Sequence, residues 1–273
     1  MSGLSIRGSL DHLRGARACG GRFVLEEPLF GAPEESVWLG SGEEGPVLVT
    51  LGLSTGLTRA ELEELLALPF PGIAPLVAVG QLDRPEPEVD VVVETLPAGV
   101  VSAQAFVALE GDARLRAAQE LAVAVGRAVL GAHDAYLPVA GVRPDAVWVS
   151  EGDPAAFVAL APRAARLWAL RQRVDAGVAP GHLAVFEPPE LLNGAGPTRP
   201  DDVFSLAASF WWWATGQHPF SDGGRDEQVL AIMMGERRPW PGPPSLEPML
   251  SMSLGPRIGR PSLITVVELL APT

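Results

Sequence analysis

Asp202-Val203-Phe204-Ser205-Leu206, followed by Thr215-Gly216-Gln217-His218-Pro219-Phe220, is the stretch from which the rest of this chain is best read. From Asp201 to Gly216 the residues are apolar on nearly every face of a helix, and a helix of that kind sits in the middle of a fold. Its apolar run, Val203 to Thr215, is too short and too interrupted by polar residues to span a bilayer. Trp211, Trp212 and Trp213 are adjacent, so on a helix they point about 100° apart. They cannot form one aromatic platform and are expected to pack the core around this helix.

Upstream, the period changes several times. Arg22–Glu27, Ser36–Gly40 and Val47–Leu53 are short apolar-rich runs between Gly, Pro and acidic turns, the pattern of strands. Leu57–Leu68 switches to helical spacing, with Thr58 and Glu61 forming a capping box. Two more strands are predicted at Leu76–Leu82 and Val89–Leu96. After Pro97-Ala98-Gly99 the pattern turns mostly helical, led by a long Ala-, Leu- and Val-rich helix at Asp112–Tyr136. A strand pair, Ala146–Ser150 and Ala156–Leu160, is joined by Glu151-Gly152-Asp153-Pro154. The layout is α+β: a small β-rich part with one helix, a short hinge, and a larger helical part.

Four strings around the central helix carry a family resemblance. Pro188-Pro189-Glu190, Asp202 to Leu206, Thr215 to Phe220 and Arg260-Pro261-Ser262 are similar, in order and spacing, to the APE, DVxSL, TGxxPF and late Arg-Pro motifs of protein kinases. Earlier, Pro71-Gly72-Ile73-Ala74-Pro75-Leu76 resembles the string after the regulatory helix, and Val92 to Leu96 the strand entering the hinge. His133 with Val142-Arg143-Pro144-Asp145-Ala146-Val147 resembles the catalytic-loop region. The resemblance, to eukaryotic-type (bacterial Ser/Thr) kinases, runs from residue 21 to about 271. It implies a bilobal kinase-like domain: an arm at 1–20, a small lobe at 21–96 and a larger lobe at 97–273. It also implies a buried ion pair of Glu190 with Arg260 and a structural role for Asp202 in the central helix.

The chemistry that the family performs is vacated position by position. Phosphoryl transfer needs a Lys on the phosphates, metal ligands, a base for the hydroxyl and a glycine-rich cover. Aligning Val47-Leu48-Val49-Thr50 with VAIK puts Thr50 in the Lys slot. Val139-Ala140-Gly141 against HRD puts Gly141 in the place of the catalytic Asp, and Ala146 replaces the metal-binding Asn. In the DFG region the Asp falls on Ala161 or Pro162. The covering loop, Leu29 to Val37, has Phe30, Ala32 and Glu35 in glycine slots, and Glu34 and Glu35 present negative charge where phosphate would lie. Losing base and metal together costs about 8 kcal/mol, roughly six powers of ten in rate. Without a Lys partner, Glu61 reads as the capping residue opposite Thr58, and Arg143 as a structural cation.

Composition narrows the partners. A net charge of −13 argues against nucleic acid and against an anionic membrane surface. Hydrophobic residues make up 47%, enough for a large core, and no signal peptide or spanning segment is expected. Cys19 is the single cysteine, which excludes an intrachain disulfide, makes a four-ligand zinc site hard to build and sets a cytoplasmic default. The Ala-, Gly-, Pro- and Arg-rich composition suggests a GC-rich bacterial source.

The function expected is therefore a pseudokinase without phosphotransferase activity, with no metal and no cofactor, that does not bind Mg-ATP and acts as a protein-interaction or allosteric module. The alternatives are a kinase-fold switch that binds a nucleotide or another small molecule, and a residual Ser/Thr kinase drawing a carboxylate from Asp145 or Asp153. Between Glu151 and Pro197 there is no Ser, Thr or Tyr, so this segment cannot carry an activating hydroxyl phosphate. Arg163, Arg166, Arg171 and Arg173 around Trp168 have the composition of an interface hot spot and form the expected surface for an unidentified protein partner.

Overall fold

The computed structural model describes residues 11–32, 35–43, 45–51, 74, 76–83, 89–96, 100–102, 109–134, 138–139, 142–144, 147–150, 156–158 and 185–272. Among these residues the strands are β1 Arg17–Ala18, β2 Phe23–Ala32, β3 Glu35–Gly42, β4 Gly45–Leu51, β5 Leu76–Gln81, β6 Asp90–Thr95, β7 Val100–Ser102, β8 Val147–Ser150 and β9 Ala156–Val158. The helices are α1 Gly111–Asp134, α2 Pro189–Leu192, α3 Arg199–Thr215, α4 Arg225–Met234, α5 Glu247–Ser253 and α6 Leu263–Leu270.

β1 to β6 form one antiparallel sheet in the order β1-β2-β3-β4-β6-β5. Its two edges meet. Ala18 on β1 bridges Leu82 just beyond β5, the Cys19 amide donates to the Gln81 carbonyl at 2.9 Å, and the Asp83 amide donates to the Arg17 carbonyl at 2.8 Å. Closing a sheet on itself removes the exposed edges that invite aggregation. Side chains alternate along each strand, so Val47, Val49 and Leu51 of β4 pack with Leu25, Trp38, Val91 and Val93 in one cluster. Leu48 and Thr50 point to the opposite face. Residues 11–20, set apart as an arm in the sequence reading, supply β1 and place Leu13 and Ala18 in that cluster.

The second sheet, β7-β8-β9, is three short antiparallel strands. β7 has no counterpart in the sequence reading, because three residues are too few to show a period and the partner of Ser102 is Trp148.

The helical part is built around α3, as its all-round apolarity requires. Phe204, Leu206, Phe210, Trp211 and Trp213 are fully buried, whereas Trp212 is half-buried. Trp211 meets the Trp240 ring edge-on at 4.9 Å between centroids. Burying side chains of this size contributes roughly 2–3 kcal/mol each. The close approach of α1 to α3 and α6 depends on Gly126: a Cβ there would lie 2.4 Å from Val267 Cγ2 and 3.4 Å from Leu206 Cδ2. Helix α3 ends on Gly216 at φ 73°, a left-handed cap that glycine adopts without strain. Arg114 of α1 covers that end, its Nε donating to the Trp213 carbonyl at 2.7 Å.

Candidate functional site

The start of α3 is an ionic knot. Asp201 is fully buried and its carboxylate accepts from Arg257 Nε at 3.0 Å, Arg257 Nη2 at 2.8 Å and Arg260 Nη1 at 3.0 Å. The Thr198 amide also donates to it at 2.8 Å, which satisfies the helix start. Arg260 uses its other arm on Glu190 of α2, Nη2 to Oε2 at 2.7 Å. Arg260's side chain is buried completely, while Glu190 keeps part of its surface in solvent. Burial pushes the Glu190 carboxyl up, but the hydrogen bonds and charge of Arg260 and the Arg257 amide outweigh it and hold the group below the usual carboxylate range. The pair of Glu190 and Arg260 thus sits in a larger set, of which Asp201 and Arg257 were not picked out in the sequence. The signal available was Thr198 three residues before Asp201, a capping-box spacing.

One residue on, Asp202 turns the other way. Its Oδ2 accepts from the Val139 amide at 2.8 Å and lies 2.7 Å from His133 Nε2, with the carboxylate fully buried. Ser209 Oγ, two turns further along α3, donates to the Val142 carbonyl at 3.0 Å. Val139 and Val142, in the stretch that aligns with the catalytic loop, are therefore both tied to the buried helix.

A third feature lies beside Thr50. Val37 ends the stretch that aligns with the covering loop, Leu48 lies two residues before Thr50, Leu96 directly follows β6, and Trp148 lies two residues after Ala146. All four are buried and pack as one apolar cluster, with Leu39 against it. Thr50 is itself buried on the same face of β4, between Val37 and Val92 in the register, and its Oγ1 meets no hydrogen-bond partner among the described residues. Trp148 Nε1 is likewise unpartnered. Neither Leu48 nor Trp148 was singled out in the sequence, although a Leu in the Ala slot of VAIK was visible there.

Gly141, Ala146, Ala161 and Pro162 lie outside the described residues, as do the helix expected at 57–68 with Glu61, the carboxylates Asp145 and Asp153, and the expected partner surface Arg163, Arg166, Trp168, Arg171 and Arg173. Among the described residues no helix is long and apolar enough to cross a membrane, and no group of three or more His, Cys, Asp or Glu side chains could hold a metal ion.

No family model and no curated protein matches the chain. Among solved structures it is similar to the protein kinase Rad53, residues 1–466 in complex with AMP-PNP, at 15% identity and a TM-score of 0.65. The match covers 93% of this chain and 67% of that one. At that identity the likeness is one of architecture, and it agrees with the small sheet and helical part described above: the chain has a protein kinase-like fold.

Proposed function

We propose that the chain is a pseudokinase, a two-lobed kinase-fold module that binds a protein partner and transfers no phosphate. The observation that carries this reading is the cluster of Val37, Leu48, Leu96 and Trp148. Val37, Leu48 and Trp148 each stand in or within two residues of a string that the kinase resemblance assigns to nucleotide binding, and their side chains pack against one another. A base entering there would have to expel a Trp and a Leu from a packed interior, which costs several kcal/mol. Thr50 in the Lys slot would offer the phosphates no charge in return. A site packed by the chain's own side chains suits a constitutive binding surface. Composition alone adds the 163–173 segment as one candidate for such a surface.

The test is thermal unfolding with Mg-ATP. A ligand at one hundred times its Kd stabilises the folded state by about 2.7 kcal/mol. No shift is expected at millimolar Mg-ATP, and a saturating, magnesium-dependent shift would overturn the proposal. The second reading, a small-ligand switch, draws on Thr50 Oγ1 and Trp148 Nε1, since buried polar atoms without partners are rare and cost roughly 1–3 kcal/mol each. A saturating shift that needs no magnesium would favour it.

A further inference from the structure

Helix α4 carries an apolar face that no described residue covers. Val229, Ala231 and Ile232 are buried, but Leu230 is 61% exposed, Met233 38% and Met234 65%. At 100° per residue, positions 226, 230, 233 and 234 lie within an arc of about 100°. Single exposed apolar side chains are ordinary. Three large ones on two turns of one surface helix depart from the usual polar outer face and mark an interaction site.

Apart from Arg225, whose side chain is not among the described ones, the exposed charges on this helix and its cap are acidic. Asp226 and Glu227 lie in the first turn, after Arg225, and Glu236 follows immediately after the Gly235 cap, all three acids exposed. The two cations that follow are already engaged: Arg237 by Glu247 and Arg238 by Asp222. Among the described side chains the free charge bordering the stripe is therefore negative. A second copy of this chain, itself at −13, would bring like charges together, and an anionic lipid surface would meet the same repulsion.

We propose that α4 docks a basic amphipathic segment of a partner protein, with apolar residues at helical spacing seated on Leu230, Met233 and Met234 and flanking Lys or Arg residues facing Asp226 and Glu236. Methionine suits this use, since its unbranched, polarisable side chain adapts to different apolar partners. The geometry is that of an amphipathic helix laid along an apolar strip, with charge setting partner choice and encounter rate. This assignment rests on reading the chain as an interaction module, and its assay is independent of the nucleotide assay.

The probe is a fluorescein-labelled amphipathic peptide of Leu and Lys, eighteen residues long, titrated with the full chain by anisotropy, with a scrambled peptide of the same composition as control. The amphipathic peptide is expected to bind at least about tenfold more tightly than the scrambled one. Leu230→Ser and Met234→Ser should each weaken it about tenfold, and Asp226→Asn should reduce its salt dependence. Met252→Ser, at a residue 53% exposed on α5, should change nothing. Equal binding of both peptides, no binding, or binding indifferent to Leu230 and Met234 overturns the proposal. So does a dimer by light scattering that the same substitutions dissociate, which would assign the face to a second copy. A failure here would leave the Mg-ATP result standing.

Discussion

Arg260 and Asp201 meet with both side chains fully buried, Nη1 3.0 Å from Oδ1, and the same guanidinium reaches Glu190 on α2. One cation thus ties the start of α3 to the end of the segment that precedes it. Removing one partner from a buried pair leaves the other charge desolvated and uncompensated, at a cost of about 3–5 kcal/mol. Arg260→Ala is therefore expected to lower the urea unfolding midpoint strongly. Arg238→Ala, at a pair whose Asp222 is largely in solvent, should cost less than about 1 kcal/mol. If the two substitutions have equal effects, the knot contributes no more than a surface contact.

Trp148 is expected to behave as a built-in ligand. Trp148→Ala should cost about 3–5 kcal/mol and leave an apolar hole between the small sheet and β8. Dry cavities of this kind bind small aromatic molecules. Indole should therefore raise the melting temperature of the variant and leave that of the parent chain unmoved. Equal indole shifts for both proteins would mean that Trp148 does not fill a distinct site.

Acid should destabilise the fold in a defined window. His218 is buried, its Nε2–H donates to the Val185 carbonyl at 2.5 Å and its Nδ1 accepts from the Phe220 amide at 3.3 Å. Burial lowers its pKa to about 4, with Arg238 acting in the same direction and the Val185 hydrogen bond and Asp222 opposing. The folded state thus takes up this proton later than the unfolded chain, whose His titrates near 6.5. Stability should be complete above that pH and fall as pH drops from about 6.5 to about 4, by at most roughly 3 kcal/mol. Glu190, held below its ordinary pKa, adds a loss at the acid end of the same window. His218→Gln should flatten the upper part of the curve in denaturation midpoints between pH 7 and pH 4, and an unchanged slope would refute the assignment.

Gly126→Ala tests the contact between α1 and α6. Alanine is the better helix former by about 1 kcal/mol, yet its methyl would meet the stiff Val267 side chain at 2.4 Å. Overpacking of this kind costs about 1–3 kcal/mol. The single substitution is expected to be neutral to destabilising, and Val267→Ala in the same chain should restore part of the loss. Additive effects in that double-mutant cycle would show that the two sites do not touch.

Much of the architecture was written locally. The short apolar-rich runs at 47–53 and 89–96, the all-round apolarity of 201–216 and the order of the short motifs are properties of neighbouring residues. Strand and helix periods arise from the backbone itself. Glu190, Arg260 and Asp202 could be singled out for the same reason, because each stands in a short string with recognisable neighbours. Tertiary packing decided the rest. Arg17–Ala18 is a strand only because Phe23, Val24 and Leu82 lie beside it, and Val100–Ser102 only because β8 returns to pair with it. Asp201 gains its meaning from two arginines more than fifty residues away. Leu48 and Trp148, a hundred residues apart, fill one space because strand register turns both toward it. A local pattern specifies that a strand has two faces, but which distant side chain each face meets is set by closing the chain.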